Sequence, residues 1–222
     1  LDWVVGGFYF WEEGSEVNPQ LSGFVLDTNQ AVFSRFGALS GAFQAANPAR
    51  YRLVVTPATL TYSADAESKA LYSQATYYPG GRDSGLSLTA GARYTWDEKG
   101  MIRTQNGAAP LAVAERGQES FKKFTWNLMG RYEFTDDASV YVRVATGYRS
   151  GGFNASDPVA PGGNTIPAFG EEEVTSYEVG FKTDLLDNRL RLNGAVFYNE
   201  YQNIILSKLQ CPESSLVSPC LR

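Results

Sequence analysis

The residues best placed to do chemistry stand at 147–154, Gly-Tyr-Arg-Ser-Gly-Gly-Phe-Asn. They offer a guanidinium, hydroxyls, a carboxamide and a flexible backbone. A glycine-rich run of this kind holds phosphate only when a helix follows it and turns its first amides toward the anion. The next residues, Ala155-Ser156-Asp157-Pro158, start no helix. The glycines are expected instead to let a strand bend into a loop. That leaves Arg149, Phe153 and Asn154 as candidate ligand contacts, because loops carry binding groups.

Other chemistries find little support. The 222 residues contain no histidine, which removes Ser-His-Asp and Cys-His catalysis and imidazole proton relays. Asp136 and Asp137 are neighbours in a turn-forming stretch rather than carboxylates facing each other across a cleft. Glu171-Glu172-Glu173 reads either as a divalent-cation site or as a solvated charge run. Cys211 and Cys220 lack the company a zinc site needs. In an exported chain they would close a small loop disulfide, and otherwise they are two free thiols. No catalytic residue, cofactor or metal site is assigned, and no enzyme is expected.

The elements that position 147–154 are strands. In 139–150, Val140, Val142, Val144 and Tyr148 alternate with Tyr141, Arg143, Ala145, Gly147 and Arg149. One face suits hydrocarbon while the other tolerates charge. A soluble sheet buries its apolar face in a core, whereas a membrane barrel shows it to lipid and turns its polar face to the lumen. Segments 1–12, 67–78, 85–98, 120–134, 173–184 and 189–201 have strand character as well. Helical periodicity fits none of them. The longest apolar run, 4–11, is far short of the roughly 20 residues a membrane helix needs.

Connections alternate in length. Those at 79–84, 135–138 and 185–188 are short and rich in turn formers, and those at 13–66, 99–119 and 151–172 are long. Short periplasmic turns and long external loops are the rule in outer-membrane barrels. With that orientation Tyr77, Tyr78, Tyr132 and Phe134 fall at the periplasmic ends, and Trp11, Trp96, Trp126, Tyr148 and Tyr177 at the external ends. The inward faces then carry Arg93, Arg131, Arg143, Arg149 and Arg191 with Glu133, Glu178 and Lys182, a charged lumen wall. A net charge of −5 and the lack of any Lys/Arg-rich run argue against nucleic acid as a partner.

The sequence GYRSGGFN at 147–154, and FGEEEVTSYEVGFKTDLLDNRLRLNGAVFYNEYQNI after Ala168, resemble the barrel of TonB-dependent outer-membrane receptors. LDWVVGGFYFWEE at the start and LTAGARYTWDEK after Ser87 fit the same family. The resemblance implies an all-β, antiparallel up-and-down transmembrane barrel of about 22 strands, of which 1–222 is one partial domain. It implies a bilayer and lipopolysaccharide around the barrel, and a plug domain and a TonB contact belonging to parts of the protein outside these residues. It further implies energised uptake of a small molecule, with a ferric siderophore as the leading candidate. Phe33, Phe36, Phe43 and Tyr51 could stack on an aromatic ligand. Leu1 opens mid-strand with neither an initiator Met nor a signal peptide, so a piece of a longer exported chain is expected. Two alternatives compete with that reading: a complete eight-stranded barrel with structural or adhesive duties, which needs an eighth strand within 40–61, and a soluble β-sandwich binding module.

Overall fold

The computed structural model describes residues 1–27, 32–34, 47–187 and 189–206. The chain forms one antiparallel sheet from β1 (Asp2–Asp27), β2 (Val32–Ser34), β3 (Tyr51–Tyr77), β4 (Leu86–Gly107), β5 (Pro110–Thr135), β6 (Ala138–Arg149), β9 (Glu172–Leu185) and β10 (Leu190–Gln202). The order across the sheet is β10-β9-β6-β5-β4-β3-β1-β2, and β7 (Gly152–Phe153) pairs with β8 (Ala168–Phe169) in a separate two-stranded ribbon. The expected all-β, up-and-down architecture is present. Among the described residues the sheet is open, since β10 and the β1–β2 end do not pair. The self-closing eight-stranded alternative needs that pairing. Among the described residues of 40–61 the strand is the upper part of β3, and the eighth sheet member is the three-residue β2.

Alternation sets the two faces. Leu88, Phe124, Leu128, Val142, Val179, Leu192 and Val196 lie on the outward side and are exposed. Ala75, Leu88, Ala90, Leu128, Val142 and Val144 together make a shallow apolar surface there. The register Ala75↔Ala90↔Leu128↔Val144 carries this face from strand to strand, and a slip of one residue would turn it inside out. The outward aromatics form contacts near each end. Tyr132 and Phe134 meet edge-on at 5.0 Å, Tyr94 and Trp96 lie 4.6 Å apart, and Tyr177 stacks on Tyr198 at 6.4 Å.

Two connections expected to be long loops are paired strand instead. β1 and β3 stay in register from Asp2↔Thr76 to Asp27↔Tyr51, and β4 and β5 run together until Gln105↔Pro110. The hairpins therefore stand well beyond the apolar band. Hydrophobic alternation fades there because neither face meets lipid, while the backbone ladder continues unchanged. The expected long connection after β6 holds only the short ribbon β7–β8.

Candidate functional site

The site is built where β6 parts from β5. Their ladder ends at Asn127↔Ala145. At the next residue the Thr146 hydroxyl enters the gap, accepting from the Trp126 N–H at 2.8 Å and donating to the Trp126 carbonyl at 3.2 Å. Beyond this point the chain curls over the inward side of the β4–β5 hairpin. Tyr148, expected in the outer aromatic belt, instead donates its hydroxyl to Asp97 on the inward face of β4.

Residues 150–170 then form a strap across that hairpin. Arg116 of β5 donates its N–H to Asn164 O and accepts from Ile166 N–H, each at 2.8 Å, so strap backbone replaces the missing strand partner. Ile166 is 1% exposed beneath it. Arg103 of β4, also 1% exposed, is the clamp. Its Nε donates to Glu115 at 2.5 Å, and its Nη1 donates to the carbonyls of Ala155 at 2.5 Å and Asp157 at 2.8 Å. A buried guanidinium is tolerable only with such full pairing.

The glycines of 147–154 act through close approach rather than through unusual dihedral angles. The left-handed glycines among the described residues are Gly80, Gly81, Gly85, Gly107 and Gly162, none of them in this run. A Cβ on Gly151 would sit 2.1 Å from the Phe169 carbonyl oxygen, and one on Gly117 would sit 2.4 Å from the Phe153 ring. No helix follows the run; β7 lies within it, and a turn comes next.

Between the strap and the upper β1–β3 hairpin lies a cleft of about 430 Å³. Phe153, Phe169 and Met101 supply its apolar wall, Glu12 and Glu16 its acidic wall, and Lys99 its cation; Glu13 and Asp65, paired with each other across the strands, belong to the opposite face of the sheet. Tyr62 donates to Glu16 Oε2 at 2.7 Å, a bond that holds the phenol above its usual range. Of the three candidate contacts, Phe153 alone lines this cleft. Arg149, with its side chain 74% exposed, sits 3.4 Å from Glu172. Asn154 closes its own turn, donating to Asp157 Oδ1 at 2.9 Å and accepting from the Ser156 N–H at 3.0 Å. Glu12, Lys99 and Tyr62 were missed because no motif marks them; their neighbourhood arises only from the pairing of distant strands.

The acidic run at 171–173 is occupied from within the chain. Lys123 reaches Glu171 at 2.7 Å and also Glu173, while Glu172 accepts from Ile205 N–H at 2.5 Å and faces Arg149. Cys211 and Cys220 lie outside the described residues, as do Phe36 and Phe43.

Below the cleft, the inward face carries hollows of about 290 and 500 Å³. Arg93 and Arg143 line the first, and Arg131, Arg143, Glu178 and Lys182 the second. Arg93 also stacks over Phe8 at 5.2 Å, Tyr141 donates to Glu178, and Arg131 pairs with Glu133 at 2.9 Å. The expected charged inner wall exists on these strands. At the periplasmic end, Arg191 binds Asp184 through two nitrogens, at 2.6 and 2.9 Å.

A sheet with a lipid-type outer face and a charged inner wall agrees with the family match. The family model described as TonB dependent receptor-like, beta-barrel matches residues 7–216. The chain belongs to the TonB-dependent receptor β-barrel family. It is a receptor-family chain of the outer membrane rather than an enzyme-family one. The solved ferric yersiniabactin uptake receptor FyuA from Yersinia pestis superposes with a TM-score of 0.58 at 22% identity, over 91% of this chain and 34% of that one. The siderophore receptor PiuA from Acinetobacter baumannii gives a TM-score of 0.50 at 21% identity, over 85% of this chain and 28% of that one. Among curated relatives, the pesticin receptor of Yersinia pestis is 29% identical over 141 residues, 64% of this chain. This chain spans about 20% of that relative's length.

Proposed function

We propose that the whole protein takes up a ferric siderophore across the outer membrane, energised by TonB and gated by a plug domain inside the barrel. The observation that carries this reading is the family match over 7–216. The relatives named for ferric yersiniabactin and for siderophores support the choice of ligand class. The inner wall fits it as well. Its hollows hold cations without enough carboxylates to match them, which suits a surface that meets a further domain. The mouth offers a cleft of small-ligand size. The candidate contacts in this reading are Phe153, which lines the cleft, and Arg149 and Asn154, which flank it. Ligand would be caught at the mouth and released past the plug.

The experiment is growth of a strain deleted for the full gene under iron limitation, with siderophores of several chelating classes and radio-iron uptake as the readout. The reading expects loss of uptake for one class, restored by the intact gene and abolished when TonB is removed. Unchanged uptake of every class in the deletion strain would overturn it.

A further inference from the structure

Taking the receptor reading as its basis, we propose that the cleft between the upper β1–β3 hairpin and the strap is a binding subsite selective for charge, favouring cationic and neutral ligands over anionic ones. At about 430 Å³ it falls in the size range of small-molecule sites. Its acidic wall is not neutralised by the protein. Glu16 is held in place by Tyr62 and by Asn18, which donates to Oε1 at 3.2 Å, and both partners are neutral. Among the described residues Glu12 has neither an ion pair nor a hydrogen bond from a side chain, and Lys99 is the sole cation lining the cleft.

Neighbouring charges are treated differently. Arg103 is consumed by Glu115, and Lys123 by Glu171 and Glu173. The surplus negative charge thus sits where a ligand would rest, opposite the rings of Phe153 and Phe169. Carboxylates and aromatic faces attract the same partner, an ammonium or another cationic group on a partly apolar body. A triply anionic chelate meets repulsion there.

The test uses the full-length protein in detergent, with equilibrium binding followed by intrinsic fluorescence. Five probes are compared: a ferric trihydroxamate bearing a free ammonium, its N-acetylated neutral form, a ferric triscatecholate, and an iron-free arylalkylammonium beside its arylcarboxylate counterpart. The ammonium chelate is expected to bind more tightly than the triscatecholate at low salt. E12Q should weaken the ammonium chelate about threefold, a modest factor typical of solvent-facing charges, and leave the neutral form unchanged. K99Q should act in the opposite direction. F153A should weaken every probe that enters the cleft.

Equal or tighter binding of the triscatecholate, or a charge preference untouched by E12Q, overturns the proposal while leaving siderophore uptake standing. If no ferric chelate binds, it is the siderophore reading that falls. The charge proposal is then decided by the iron-free pair, and equal binding of ammonium and carboxylate would sink it.

Discussion

From Arg93 downward, the inward face of the sheet carries Arg93, Arg131, Arg143 and Lys182 around open hollows. Higher up, the same face is closed over by the strap, where Arg103 and Ile166 are each 1% exposed. The lower wall matches its cations only in part, Arg131 to Glu133 and Arg93 to the ring of Phe8, whereas beneath the strap Arg103 is fully engaged and Ile166 is buried. In the proposed receptor the lower wall would meet the plug while the strapped wall holds its own shape, and the two call for different side-chain economies on one sheet face. The boundary is Thr146, where β6 stops pairing with β5.

The largest expected effect removes the upper clamp. Arg103→Ala leaves Glu115 and two carbonyls without their donor, which costs about 3–5 kcal/mol of strap docking. Hydrogen exchange on the full protein in detergent should show fast exchange across 150–170 and unchanged protection in β9 and β10. Slow exchange in the strap of the variant would show that the clamp is not what holds it.

Next comes the contrast between the outer and inner faces. Val142→Arg puts a charge into the apolar band and should destabilise the barrel by about 2–4 kcal/mol. Its heat-modifiable fraction in outer membranes should drop sharply. Arg143→Leu, one residue away on the inward face, should assemble normally and change uptake instead. Similar assembly of the two variants would mean that the faces have been assigned wrongly.

A smaller effect sits at Tyr62. Its phenol is raised from the ordinary value first by the hydrogen bond to Glu16, then by burial and the carboxylate's charge. A raised value in the folded state means that the bond's contribution is complete below the free phenol's titration and is lost as pH climbs through the folded one. E16Q should return the ultraviolet titration of Tyr62 toward that of an unperturbed phenol, with Tyr62→Phe identifying the signal. No movement in E16Q would break the assignment.

Much of this was legible in the sequence, for a physical reason. Where one face of a strand meets lipid, every second residue must be apolar, and Leu86, Leu88, Ala90, Ala92, Tyr94 and Trp96 display that rule plainly. Past Glu98 the rule lapses although the strand does not, so Lys99, Met101 and Arg103 read as loop while they lie in β4. Tyr148 shows the converse failure. Its parity matched the outer belt, but a side chain from the preceding residues broke the ladder and turned it inward. The cleft was the least legible part, since Glu12, Tyr62, Lys99 and Phe153 are brought together by cross-strand register and by the strap, neither of which leaves a local pattern.

The strap also imposes an order of events. Most strands here pair with a neighbour reached through a short turn, so hairpins can zip locally. The strap's seat, the inward face of β4–β5 with Arg103 and Arg116 in place, exists only after that hairpin has formed. Residues 150–170 must then be ordered on it, at a loop-closure cost met late. Pulse-labelled exchange during refolding of the full protein should find the amides of β4 and β5 protected before those of Arg116 and Ile166, making the mouth the last part of this wall to mature.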